Sequence, residues 1–98
     1  MVIHIPIARE RLAELCRARG IRRLALFGSV VREDFTPESD VDVLVEFEPG
    51  RTPGFEFVDI QDELTSLLGR RVDLHTPGSL SPYFRDEVLR EAVDQYVA

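Results

Sequence analysis

The sequence contains no lysine and no tryptophan, and a single cysteine and a single methionine among its 98 residues. Without lysine there is no side-chain amine to deprotonate, which excludes catalysis through a Schiff base or a covalent lysyl-nucleotide. It also excludes a P-loop, whose lysine reaches the terminal phosphates. The one cysteine, Cys16, can form neither an intramolecular disulfide nor a thiolate metal cluster, and its place in a helical pattern reads as a small buried hydrophobe. The chain opens on no basic stretch followed by an apolar region, and no apolar run approaches the ~20 residues of a membrane span, so a cytoplasmic protein with no membrane partner is expected. No internal repeat and no low-complexity tract is present, and disorder is not expected.

What is there fits one small domain covering residues 1–98. A chain of this length buries only roughly 60–65% of its unfolded surface, enough for a single core, so any chemistry must be built from two or three elements. Its net charge of −6 is unevenly placed: residues 1–23 hold six Arg against two Glu, and residues 24–98 hold six Arg against sixteen acids. An acidic body argues against strong nucleic-acid binding. A polyphosphate ligand stays open, because bound divalent cations reverse the local sign.

Apolar residues at Ile5, Ala8, Leu12, Leu15 and Cys16 recur at helical spacing and stop at Gly20, which predicts a first helix over Ile5–Arg19. Ile21–Phe27 reads as a strand ending at Gly28, followed by a brief helix over Ser29–Asp34 and a turn over Phe35–Ser39. Asp40–Phe47 alternates cleanly, with Val41, Val43, Val45 and Phe47 on one face and Asp40, Asp42, Leu44 and Glu46 on the other. After a loop rich in Pro and Gly, the pattern Phe57, Ile60, Leu64, Leu67 and Leu68 predicts a second long helix ending at Gly69. Arg71–His75 reads as a third strand, with Val72 and Leu74 inward and Asp73 outward. Ser81 and Pro82 then suit the start of a last helix carrying Phe84, Val88, Ala92, Val93 and Tyr96. The expected architecture is α/β (α+β), in the order α-β-α-β-α-β-α, with a small three-stranded sheet covered by helices.

Two signals carry chemistry. Asp40 and Asp42, two apart in a strand, leave the same face with Cα atoms roughly 6.5–7 Å apart. Paired carboxylates at that spacing repel unless a cation binds, and hard oxygen ligands suit Mg²⁺ or Mn²⁺ rather than zinc. Gly28-Ser29 follows a strand and opens a short helix, where a glycine lets a phosphate approach the backbone. Each signal alone has an ordinary structural explanation, a solvated face or a capped turn. They gain weight together, since ten residues, Val30–Ser39, separate Gly28-Ser29 from Asp40-Val41-Asp42, and a later strand adds the outward Asp73. Arg32 is placed either to neutralise phosphate or to pair with Asp34, and Ser39 either to orient Asp40 or to cap the loop. His75, at the end of the third strand near Asp73, is placed either to reach the site or, as the favoured reading, as a solvated loop residue; Arg22-Arg23 and Arg70-Arg71 read as solvated faces or contacts to an acidic partner.

The segment FGSVVREDFTPESDVDVLVEF resembles the nucleotidyltransferase motif of the DNA polymerase β superfamily, and most closely its minimal MNT branch. The resemblance implies a mixed sheet of the polymerase β-like nucleotidyltransferase fold. It implies that Gly28 and Ser29, with Arg32, hold the phosphates of ATP, and that Asp40, Asp42 and Asp73 bind two Mg²⁺ ions, with Mn²⁺ as an alternative. Asp73 would also activate the incoming hydroxyl. Larger relatives add a C-terminal helical domain that helps hold the nucleotide or acceptor; none follows Ala98 here, so substrate recognition is expected to be completed by a partner.

The expected activity is therefore a Mg²⁺-dependent transfer of AMP from ATP to a hydroxyl of a partner protein. By resemblance the protein is an antitoxin and the acceptor a HEPN-domain ribonuclease toxin. The alternative is a non-catalytic binding module that neutralises its partner by stoichiometric complex formation. A small-molecule acceptor such as an aminoglycoside is disfavoured, because no further domain remains to build its pocket.

Overall fold

The computed structural model describes residues 7–32, 36 and 38–98. The first helix, α1 (Arg9–Arg19), leads through Gly20 into strand β1 (Ile21–Phe27), and a 3₁₀ turn over Gly28–Val31 follows at once. Strand β2 (Val41–Phe47), helix α2 (Glu56–Leu68), strand β3 (Val72–His75), a second 3₁₀ turn (Pro77–Ser79), helix α3 (Arg85–Glu91) and strand β4 (Val93–Val97) complete the order. Ile5 and Pro6 of the expected first helix lie outside the described residues, as do parts of the expected turn over Phe35–Ser39. Within that turn, the Ser39 amide donates to the Thr36 carbonyl at 3.0 Å.

The sheet has four strands rather than three, in the order β3-β2-β1-β4. It is mixed: β1 is antiparallel to both β2 and β4, whereas β2 and β3 run parallel, joined by α2 as the crossover. The fourth strand corrects the reading of the last segment as one long helix. α3 stops at Ala92, whose ψ of 133° is extended, and Val93 and Tyr96 pair with β1 instead of continuing a helical face. The helix also begins later than Ser81, with Phe84 as its N-cap; the Ser81 carbonyl accepts from the amides of Phe84 and Arg85, both at 3.0 Å.

Alternation along the strands sends side chains to two different environments. On one face Leu24, Leu26, Val41, Val43, Val45, Val72 and Leu74 pack under α1, through Leu12 and Cys16, and under α2, through Ile60, Leu64 and Leu68. On the other face, among the described residues, the buried apolar cluster is Ala25, Phe27 and Leu44, covered by Leu80 and by Val88, Leu89 and Ala92 from α3 and its C-cap. Leu44 thus lies on the acid-bearing face expected from the alternation, yet is 1% exposed, because α3 closes over that end of the face.

Polar contacts hold this frame in register. Glu63 of α2 accepts from Arg19 Nε at 2.7 Å, tying the two long helices together. Arg23 on β1 donates to Glu46 on β2 at 2.9 Å and to Asp94 on β4 at 2.6 Å, spanning three strands. These two carboxylates, Asp94 first, raise the pKa of the Arg23 guanidinium further above its ordinary value. Arg22 Nη2 also lies 3.1 Å from Glu46, so the Arg22-Arg23 pair engages the chain's own acids. No helix among the described residues is long and apolar enough to cross a membrane.

Candidate active site

The acids converge on the sheet face covered only by α3. In the parallel pairing of β2 with β3, Asp42 stands beside Asp73 and Leu44 beside His75. Because Val72 and Leu74 enter the main core, Asp73 and His75 must leave by the opposite face, the one that carries Asp42. The result is a cluster in which Asp42, Asp73 and His75 each offer a ligand atom, all within 4.8 Å of one another. Asp42 and His75 are half-buried and Asp73 is exposed.

Gly28 forms the wall next to this cluster. Phe27 pairs with Asp42 across the β1–β2 ladder, so the chain leaving β1 passes directly beside the Asp42 carboxylate. Gly28 has φ +75°, a left-handed conformation that L side chains rarely adopt, and a Cβ there would overlap Asp42 Oδ2. Glycine is thus required twice, by backbone angle and by space. Ser29 follows, half-buried, with its carbonyl accepting the Arg32 amide at 3.0 Å to close the 3₁₀ turn.

A cleft of about 210 Å³ opens from this point, lined by Phe27, Gly28, Arg32, Asp42, Phe84, Glu87, Val88 and Glu91. The Arg32 guanidinium lies 3.8 Å from Glu91 Oε1, an acid of α3; Asp34, the partner considered from sequence, lies outside the described residues. Arg85 fixes the start of α3 by donating to the carbonyls of Pro77 at 2.9 Å and Leu80 at 3.1 Å, so this wall of the cleft is anchored to the loop that leaves β3. A larger groove of about 290 Å³, lined by Arg11, Leu15, Glu63, Ser66 and Leu67, lies between α1 and α2 on the far side of the sheet from the converging acids. Size alone would choose that groove; the placement of carboxylates chooses the smaller cleft.

Asp40 sits one residue before β2 and outside the three-residue cluster. Its Oδ2 lies 3.9 Å from Arg71 Nε. His75, read from sequence as a solvated loop residue, belongs to β3, with its ring centroid 5.3 Å from that of Phe27 and its Nε2 buried. The available signal was its spacing: two residues after Asp73 in a strand, His75 shares the face of that acid. The carboxylate pair fits a hard divalent cation, since two close anions repel without one.

Comparison with known proteins identifies the family. The family described as Nucleotidyltransferase domain matches residues 8–94. A Thermococcus cleftensis relative named protein adenylyltransferase MntA is 42% identical over 81 residues, covering 82% of this chain and 80% of the relative. Two solved structures share the fold. A toxin–antitoxin complex with AMP-PNP superposes with a TM-score of 0.74 at 20% identity, covering 94% of this chain and 75% of that one. A complex of a tri-AMPylated Shewanella oneidensis HEPN toxin with MNT antitoxin superposes with a TM-score of 0.65 at 20% identity, covering 92% of this chain and 70% of that one. A mixed sheet with acids beside a glycine turn fits a nucleotide-transferring enzyme, and the chain belongs to the nucleotidyltransferase domain family.

Proposed function

We propose that this protein transfers AMP from ATP to a hydroxyl of a partner protein, and that the partner is a HEPN-type ribonuclease toxin which it silences as an antitoxin. The observation that carries the reading is the juxtaposition of Asp42 and Asp73 with the side-chain-free backbone of Gly28 at the head of the cleft. The relative named protein adenylyltransferase, and the fold shared with antitoxin complexes holding AMP-PNP or an AMPylated toxin, support the substrate and the partner.

In this reading Gly28 lets the phosphate chain approach the backbone, the Ser29 hydroxyl donates to a phosphate oxygen, and Arg32 offsets negative charge at the cleft mouth. Asp40, Asp42 and Asp73 would hold Mg²⁺. Ions bound there would supply the charge stabilisation that displacement at phosphorus needs. Asp73, the exposed acid of the cluster, is open to an incoming hydroxyl and accepts its proton. The acceptor oxygen bonds to the α-phosphorus, the bond from that phosphorus to the bridging oxygen breaks, and pyrophosphate leaves. Phe84, which lines the cleft, is 61% exposed and its chain neighbour Tyr83 is 92% exposed, an apolar surface that suits a protein acceptor better than a small molecule.

The test is label transfer from ATP in Mg²⁺ to the co-purified product of the neighbouring gene, with α- and γ-labelled ATP in parallel. Transfer of the α label alone is expected, reduced at least ~10³-fold in Asp42→Asn with the fold retained, as loss of several kcal/mol of charge stabilisation requires. Transfer of the γ label would mean kinase chemistry. A tight, silencing complex without any label, equally protective in Asp42→Asn, would establish the stoichiometric binding module instead.

A further inference from the structure

His75 is the member of the cluster that the nucleotide-transfer reading leaves without a role. Its Nε2 is buried yet has no hydrogen-bond partner, although its side chain as a whole is 32% exposed. A tilted ring contact with Phe27, at 60° between planes, holds the imidazole on the site side of the sheet. Nε2 lies 3.6 Å from Asp42 Oδ1, which is too long for a hydrogen bond. Two donor atoms each about 2.1 Å from one ion are separated by about 3.0 Å at a right angle and by about 3.4 Å at the tetrahedral angle. The observed gap is thus close to that between two ligands of a shared cation, and Asp73 supplies a third atom within 4.8 Å.

We propose that His75 Nε2 is a metal ligand together with Asp42 and Asp73, and that this nitrogen makes the centre select a first-row transition-metal dication such as Mn²⁺ over Mg²⁺. The proposal rests on the metal-dependent reading of the site and adds what determines its ion. Mg²⁺ is a hard ion that keeps oxygen ligands and gives up water reluctantly, so an imidazole contributes little to holding it. First-row transition ions accept imidazole nitrogen with increasing affinity along the series from Mn²⁺ to Cu²⁺. An all-carboxylate centre lacks this means of discrimination. A histidine that occupies a ligand position therefore shifts selectivity without adding charge.

The experiment loads the full chain with Mn²⁺ at mildly alkaline pH and records pulsed electron paramagnetic resonance, alongside Mn²⁺ and Mg²⁺ titrations of wild type and His75→Leu. Expected are ¹⁴N modulation from a bound imidazole in the wild type, its disappearance in His75→Leu, and a fall of at least about tenfold in Mn²⁺ affinity with Mg²⁺ affinity changed far less. The wild-type spectrum needs no variant, so poor folding of His75→Leu leaves the proposal testable. Absence of ¹⁴N modulation in the Mn²⁺-loaded wild type, its persistence in His75→Leu, or equal losses for both ions would overturn it. If Mg²⁺ supports α-label transfer while no nitrogen coupling is seen, this inference fails and the adenylyltransferase reading stands. If neither ion binds and no label moves, both fail.

Discussion

One face of the sheet is apolar from end to end, and the other is mostly polar. Among the described residues, fifteen buried residues form the cluster under α1 and α2, against three under α3. The first face holds the fold together, so its residues are interchangeable in chemistry so long as they fill space. The second carries Arg23, Asp42, Glu46, Asp73, His75 and Asp94, whose value lies in where they stand. The strands serve both faces at once, because each residue that enters the core fixes the position of its neighbour on the site side.

The sharpest way to break this comparison is to truncate one apolar side chain on each face. Leu64→Ala, at 0% exposure in the main core, is expected to cost about 2–5 kcal/mol, a large share of the roughly 5–15 kcal/mol that stabilises a small domain. Val88→Ala on α3, which is only half-buried, should cost about 1 kcal/mol or less. Urea midpoints compare the two directly, and similar losses would mean that α3 contributes as much as α1 and α2 together.

Gly28→Ala tests the seam between the faces. The left-handed backbone and the overlap with Asp42 predict a loss of about 1–3 kcal/mol in urea and a displaced carboxylate, with label transfer falling more than stability explains. Wild-type stability and transfer in this variant would remove Gly28 from the site.

Cys16 reports on the apolar face through pH. Burial pushes its thiol up to about 12 from an ordinary 9.0, with Arg17 opposing slightly. Below pH 9 the thiol is protonated in both states and contributes no pH dependence. Above it the unfolded chain releases a proton that the folded one keeps, so stability should fall by about 1.4 kcal/mol per pH unit until the folded thiol also titrates. The absence of lysine removes one class of titrating side chain from this window. Chemical denaturation from pH 8 to 11 should show the slope in wild type and a flatter one in Cys16→Ala.

The smallest effect is expected at the exposed acid. Asp73→Asn relieves repulsion with Asp42 and should raise metal-free stability by up to about 1 kcal/mol, an advantage that disappears when a divalent ion is added. A lower melting temperature without metal would count against mutual crowding of the two carboxylates.

Much of this division was legible in the sequence, because alternation and helical period record which side of each element is wet. The residues of β1, β2 and β3, the C-terminal glycines of α1 and α2, and the common face of Asp42 and Asp73 all follow from period and punctuation. β4 did not, since Val88, Ala92, Val93 and Tyr96 fit a helical face as written. It is pairing with the free edge of β1 that turns Val93–Val97 into a strand, and local pattern carries no trace of that edge. Asp40 shares a parity with Asp42, but parity does not say that a carboxylate next to the loop will lie near Arg71. His75 fell inside the expected third strand, but a lone histidine carries no pattern that separates a residue of the site from a solvated ring.

The short strand β3 has a further consequence. Val72 donates its amide to Thr65 Oγ1 and Leu74 donates to Gln61 Oε1, both at 3.2 Å, so side chains of α2 occupy the amides that would otherwise face outward along this border of the sheet. The opposite border belongs to β4. A filament built by adding strand to strand needs two receptive borders on every subunit, and this molecule has one of them capped. Association by backbone pairing through β4 would therefore terminate at two copies, which protects a small acidic protein from fibre growth without any loss of its reactive face.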